Sequence, residues 1–210
     1  ENGILDLITS TGVKAVVDLY NFNNIPIDKF INSISFADDS HVFISGNYGL
    51  SQMDVYTGRF NFTLFTPNLK VFDCARNLTE YFMATESGVY YYQDLGNGII
   101  QNFGGWKKLD ATFGLNDRVS YSSLANRNGS IFVCNKEAIY QWSGNRFNSV
   151  FSNSEYEPRY LNAGPYHLLA GIHCKSNCGD LLVYFDDALN YTTSNADCSE
   201  INYHAEECID

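Results

Sequence analysis

The stretch Phe82-Met83-Ala84-Thr85-Glu86-Ser87-Gly88-Val89 runs an apolar strand into a polar turn, and Tyr90-Tyr91-Tyr92-Gln93-Asp94 runs straight out of it. That is a hairpin pattern, and it recurs. Leu7 to Val13 opens in the same way, as do Phe43 to Leu50 and Phe132 to Ile139. Leu169 to Leu181 is a stretched version with a Cys174–Cys178 loop inserted. The first apolar residues after the five turns are Val13, Leu50, Val89, Ile139 and Leu181, at steps of 37, 39, 50 and 42 residues. A period of that size belongs to propellers and repeat arrays.

The flanks of the hairpins extend the pattern. An apolar strand precedes each middle hairpin, at Ile34 to Asp39 and Val119 to Ala125. A fourth strand follows, at Arg59 to Phe65, at Trp106 to Leu109 and at Arg146 to Phe151. Four antiparallel strands per unit make a propeller blade. The reading is therefore an all-β chain, a β-propeller of about five four-stranded blades over residues 1–193. Residues 194–210 are a Cys-containing tail or the start of a following module. A β-sandwich of the same hairpins is the alternative fold. Only Ile25 to Asn32 suggests a helical turn. Phe82 to Asp94 reads as the two inner strands of one blade, with Tyr90, Tyr91 and Tyr92 facing alternate sides. A strand that closes the ring is expected from Tyr160 to Leu168 or from a neighbouring subunit.

Gly114-Leu115 through Val119, Gly129-Ser130-Ile131-Phe132-Val133 and Ala138-Ile139-Tyr140-Gln141-Trp142 resemble the repeat of two-component-regulator-type propellers. Ile44-Ser45-Gly46 with Gly49-Leu50, and Met83-Ala84-Thr85 with Gly88-Val89, fit the same frame. The resemblance covers Ile34 to Phe151 well and both ends weakly. The family's usual Trp before the turn is Phe43, Phe82 or Phe132 here, and Cys134-Asn135 breaks its Gly-Thr step. Its sensing role is therefore not carried over. The Phe residues and Trp142 are expected to pack between blades.

Charge narrows the partners. With 13 Lys+Arg against 24 Asp+Glu, the formal charge is -11, which argues against nucleic acid and anionic membranes. No apolar run approaches a membrane span, so no membrane insertion is expected. Six cysteines, Cys74, Cys134, Cys174, Cys178, Cys198 and Cys208, read as disulfides, and their number alone allows 15 pairings. Locality suggests Cys174 with Cys178 and Cys198 with Cys208, leaving Cys74 with Cys134. A zinc site of His173, Cys174, Cys178 and His204 is disfavoured, because no second Cys-x-x-Cys pair accompanies it. Four Asn-x-Ser/Thr sequons, at Asn61, Asn77, Asn128 and Asn190, mark sites for covalent N-glycans. With the cysteines, they point to a secreted, extracellular or cell-surface setting.

No catalytic constellation emerges. There is no Gly-x-Ser-x-Gly elbow, and His41 reads as a surface residue at a strand start. Asp6, Asp54, Asp94 and Asp186 could approach an axis as glycosidase acids, but each also suits a turn. Asp94 to Gly98 lacks the lysine of a phosphate loop, and Asp186-Asp187 is a weak calcium pair. No enzyme activity, cofactor or metal is expected. The reading is a non-catalytic, N-glycosylated structural protein of an extracellular or cell-surface assembly such as a filament, meeting copies of itself or neighbouring extracellular proteins. Fifteen Tyr and fifteen Phe supply interface material. The alternative is an adhesion or receptor module that binds a glycan or protein on the propeller face.

Overall fold

The computed structural model describes residues 5–9, 12–16, 28–96, 99–164, 166–176 and 178–195. Among them the strands form five antiparallel sheets that follow chain order. The first is the hairpin β1 (Leu5–Thr9) and β2 (Gly12–Val16). Blade 2 holds β3 (Ile31–Asp38), β4 (His41–Gly46), β5 (Gly49–Asp54) and β6 (Phe60–Phe65). Blade 3 holds β7 (Val71–Asn77), β8 (Glu80–Thr85), β9 (Gly88–Gln93) and β10 (Lys107–Leu109). Blade 4 holds β11 (Ser123–Arg127), β12 (Ser130–Cys134), β13 (Ala138–Trp142) and β14 (Phe147–Ser152). Blade 5 holds β15 (Tyr156–Ala163), β16 (Leu168–Cys174), β17 (Leu181–Phe185) and β18 (Tyr191–Asn195). Each four-stranded sheet is a simple meander. This is a β-propeller of five blades, with blade 1 represented by its hairpin, and not a sandwich.

The second strands show why the sheets stack. A blade is buried on both faces, so its alternate side chains enter two different cores. In β8, Phe82 and Ala84 join the core shared with blade 4, whereas Tyr81 and Met83 join the core shared with blade 2. In β12, Ile131 and Val133 face blade 3, whereas Phe132 and Cys134 face blade 5. In β4, Val42 and Ile44 face blade 1, and Phe43 faces blade 3. Phe82 sits edge-on to Trp142 and Phe147, at centroid distances of 5.4 and 5.9 Å. The Phe residues before the turns and Trp142 are thus inter-blade packing.

The glycine of the repeat has a backbone reason. Gly12, Gly49 and Gly88 open the third strands at φ of 141°, 132° and 125°. At Gly49 a Cβ would lie 2.1 Å from the Leu64 carbonyl oxygen. Blade 4 has Ala138 at this position and closes the turn differently. There, Asn135 Oδ1 accepts the amides of Glu137 and Ala138, each at 2.9 Å.

Phe82 to Asp94 does form β8 and β9, the inner two of blade 3's four strands, with β7 on the axial side. Several expectations need correction. Tyr160 to Leu168 does not close a ring, because it belongs to β15, β16 and their turn. Ile31 and Asn32, taken as part of a helical turn, begin β3, while 25–27 lie outside the described residues. The strand expected at Val119 to Ala125 starts at Ser123 and reaches Arg127. The boundary at 193/194 falls within β18. Residues 196–210, with Cys198 and Cys208, lie outside the described residues.

The cysteine pairing splits. Cys174 and Cys178 form a disulfide across the β16–β17 turn. Cys74 and Cys134, expected as partners, are both free, buried thiols. The reason is alternation: Cys74 faces the core between blades 2 and 3, and Cys134 faces the core between blades 4 and 5. Burial pushes the Cys134 thiol up to about 12 and raises Cys74 well above its ordinary value. Both should therefore resist alkylation in the folded protein and react fully on denaturation without reductant. Peptide mapping of the alkylated chain checks this, and a Cys74–Cys134 cross-linked peptide would contradict it.

Candidate functional site

The first strands of successive blades, β3, β7, β11 and β15, lie against one another and line the axis. Side chains join them. Asp73, in the middle of β7, is only 6% exposed. Its Oδ1 accepts the Ser33 hydroxyl of β3 at 3.0 Å and its neighbour Cys74 N–H at 2.9 Å. Its Oδ2 accepts the Ser123 hydroxyl and the Leu124 N–H of β11, at 2.9 and 2.8 Å. Ser123 Oγ in turn accepts the Leu161 N–H of β15 at 3.1 Å. One connected set thus spans all four first strands. Asn32 Nδ2 donates to the Val71 carbonyl at 2.8 Å, and Ser35 Oγ to that of Cys74 at 2.8 Å, adding two further stitches between blades 2 and 3.

Burial raises the Asp73 pKa above the usual carboxylate range, and the four donors, led by Leu124 N–H and the Ser123 hydroxyl, pull against that rise. With both oxygens doubly occupied, the group is committed to holding blades and presents no free lone pair to a substrate.

One rim of the axis carries the turns after first and third strands, since those strands run in the same direction. We call it the upper face, and the rim with the other turns the lower face. At the upper mouth Asp38 Oδ2 accepts Arg76 Nη2 at 2.6 Å, and Asp38 Oδ1 meets His41 Nδ1 at 2.8 Å. Burial pushes the Asp38 carboxyl up, but the Ser40 amide, the His41 ring and the Ser40 hydroxyl outweigh it and hold the carboxyl well below the usual range. Asn126 Nδ2 donates to the Arg76 carbonyl at 2.5 Å. Arg127, with its side chain 4% exposed, clamps blade 4 to blade 5. It donates to the carbonyls of Phe185, Asp186 and Tyr166 and to the Asp187 carboxylate. An open cleft of about 500 Å³ lies over this mouth, lined by Phe36, Ala37, Asp38, Asp39, Asn126, Asn128 and Gly129.

The acids named as glycosidase candidates do not converge. Asp6 lies within β1. Asp54 ends β5, Asp94 and Asp186 directly follow β9 and β17, and all three accept amides of their own turns, from Tyr56 and Thr57, from Gly96, and from Ala188 and Asn190. His173 Nδ1 meets Asp180 Oδ1 at 2.8 Å, beside the closed disulfide; His204 lies outside the described residues. Among the described residues no cluster of three His, Cys, Asp or Glu is placed to hold a metal. Of the sequon residues, Asn61, Asn128 and Asn190 are exposed and Asn77 is half-buried. Asn190 Nδ2 donates to Asp186 at 3.1 Å. Asp73 and Arg127 were missed in the sequence. The available signal was a lone charge in a mostly apolar stretch, Val71-Phe72-Asp73-Cys74-Ala75 and Leu124-Ala125-Asn126-Arg127.

Blades stitched by side chains about an axis define the class: a β-propeller module built from regulator-type repeats. Residues 1–107 match the family described as the N-terminal β-propeller domain of TSS9/PorZ. That is just over half of the chain, which therefore belongs to this family. No curated protein matches the chain. Among solved structures, PorZ of Porphyromonas gingivalis superposes with a TM-score of 0.71 at 20% identity, covering 92% of this chain and 24% of that one. It is described as an essential bacterial surface component of the type-IX secretion system. The extracellular domain of a hybrid two-component system from B. thetaiotaomicron gives 0.63 at 14% identity, over 93% of this chain and 26% of that one. The WD40 repeats of RRP9 give 0.58 at 11% identity, over 92% and 54%. This chain thus spans about a quarter of the length of the first two.

Asp73→Ala leaves two buried amides without acceptors and should cost roughly 3–5 kcal/mol. Asp73→Asn keeps the shape but turns an amide NH2 toward two donors, so it should rescue only part of that loss. Denaturant unfolding of both variants reads the difference; an Asp73→Ala loss below about 1 kcal/mol would contradict the stitching role.

Proposed function

We propose that this chain is a non-catalytic β-propeller subunit of a cell-surface assembly. Membership of the PorZ N-terminal propeller family carries the reading, since the solved PorZ is described as a surface component of a secretion system. The axis supports it: its buried polar groups join blades and are not arranged around a substrate. The charge of -11 suits a module exposed to solvent and to other proteins. No described helix is long and apolar enough to cross a membrane. In its finer form the proposal is a secreted protein that self-associates, as in a filament, and carries N-glycans at Asn61, Asn77, Asn128 and Asn190.

A second reading is a receptor module that takes a protein or glycan on the propeller face. The cleft at the upper mouth favours it, because it is open, polar and flanked by the exposed Phe36 ring.

Light scattering over a concentration range separates the two. A mass that grows with concentration is expected for self-assembly. A monomer at every concentration, near 23.7 kDa plus any glycan mass, would rule out the filament form. Intact mass spectrometry of the same sample reads the sequons directly, and an unmodified mass would remove the glycan part.

A further inference from the structure

The two faces of the propeller differ in what they show to solvent. Among the described residues of blades 2 to 5, no lower-face turn carries an exposed large apolar side chain; Phe30, just before β3, is the nearest. The upper face carries Phe36, Tyr56, Leu78, Leu95 and Tyr166, each at least 71% exposed. They belong to one surface. The Tyr56 hydroxyl reaches the Asp39 carbonyl at 3.5 Å. The Tyr166 carbonyl is held by Arg127, and Asp94, next to Leu95, donates its N–H to the Thr79 carbonyl beside Leu78 at 2.8 Å. Phe36 and Asp39 line the cleft at its centre.

Leu78 is the most informative of these. It is 87% exposed and sits at φ 52°, in the left-handed region. Blade 4 fills the same turn position with Asn128 at φ 51°, a residue that tolerates this conformation. A leucine there has a backbone cost and gains no packing within the fold. Contact with something outside the chain would recover it.

The charge around these side chains selects the partner. Arg76 and Arg127 are committed to Asp38 and Asp187. Arg59 and Arg146 stand further out, on third-to-fourth strand turns. Asp39 and Glu80, at first-to-second strand turns, leave the inner part of the face acidic, whereas Asp54, Asp94 and Asp186 share the outer turns with these arginines. We infer that the upper face is a docking surface for a basic, amphipathic protein segment, whose apolar side chains cover Leu78, Tyr56 and Phe36 while its Lys or Arg residues meet Asp39 and Glu80. This rests on the assembly reading and deepens it by assigning the face and the chemistry of the partner, and it requires Asn77 beside Leu78 and Asn128 in the cleft to be free of glycan.

The test uses the whole chain and a fluorescein-labelled peptide alternating Leu and Lys, with a Leu/Glu peptide of equal length as control. Anisotropy should show saturable binding of the Lys peptide at least about tenfold tighter than the control. Leu78→Asn and Tyr56→Ser should each weaken binding about tenfold. Leu78→Asn should do so without lowering the thermal midpoint, since it removes strain. Glu86→Gln, on the lower face, should change nothing. Equal binding of both peptides, binding indifferent to Leu78→Asn, or a midpoint that falls with that substitution would each overturn the inference. Light scattering of the same samples keeps the readings apart: a monomer that binds the peptide retains the surface and loses only self-assembly.

Discussion

The arrangement depends on one carboxylate. Apolar faces stack blades but are nearly indifferent to small rotations and slides, because the hydrophobic effect has no direction. Asp73 supplies direction. Its four acceptor contacts reach β3, its own strand and β11 at 2.8–3.0 Å, and Ser123 carries the set on to β15. Buried polar sets of this kind specify one geometry, because any other leaves donors unpaired in a dry interior. The aromatic cores contribute burial, and the axis contributes register.

The same repeat yields two unlike faces because turn chemistry differs at its two rims. The lower turns between second and third strands of blades 2 to 4 are tight, and in blades 3 and 4 their polar groups serve the backbone. Thr85 Oγ1 donates to the Gly88 carbonyl at 2.7 Å, and Asn135 performs the equivalent closure in blade 4. The upper turns carry large side chains, one in a left-handed conformation that its residue type disfavours. A scaffold held rigidly at its axis can present such turns at fixed spacing, which is how repeat folds host binding on variable turns.

The hairpins were legible in the sequence because each pairs period-two apolar runs with a Gly, Asn or Ser turn, and Val13, Leu50, Val89, Ile139 and Leu181 do begin third strands or sit one residue inside them. The axis was not legible. Asp73 is joined to Ser123, 50 residues away, and nothing local marks that meeting. Locality likewise gave Cys174–Cys178 correctly and failed for Cys74 and Cys134, whose separation into two cores follows from blade packing. Asp54, Asp94 and Asp186 show the converse: acids that look chemical in sequence are spent on their own turns.

The chain belongs to the PorZ N-terminal propeller family, and the buried polar groups of its axis tie blade to blade. Native-state hydrogen exchange resolved by residue tests the central claim most directly. The amides of Leu124 and Leu161 donate to side chains of the axial set. If that set holds the blades, both should exchange only by global unfolding, as slowly as the core amides of β8 and β12. Exchange at the rate of the exposed upper turns would show that the axis opens independently, and the account of a carboxylate-set geometry would fail.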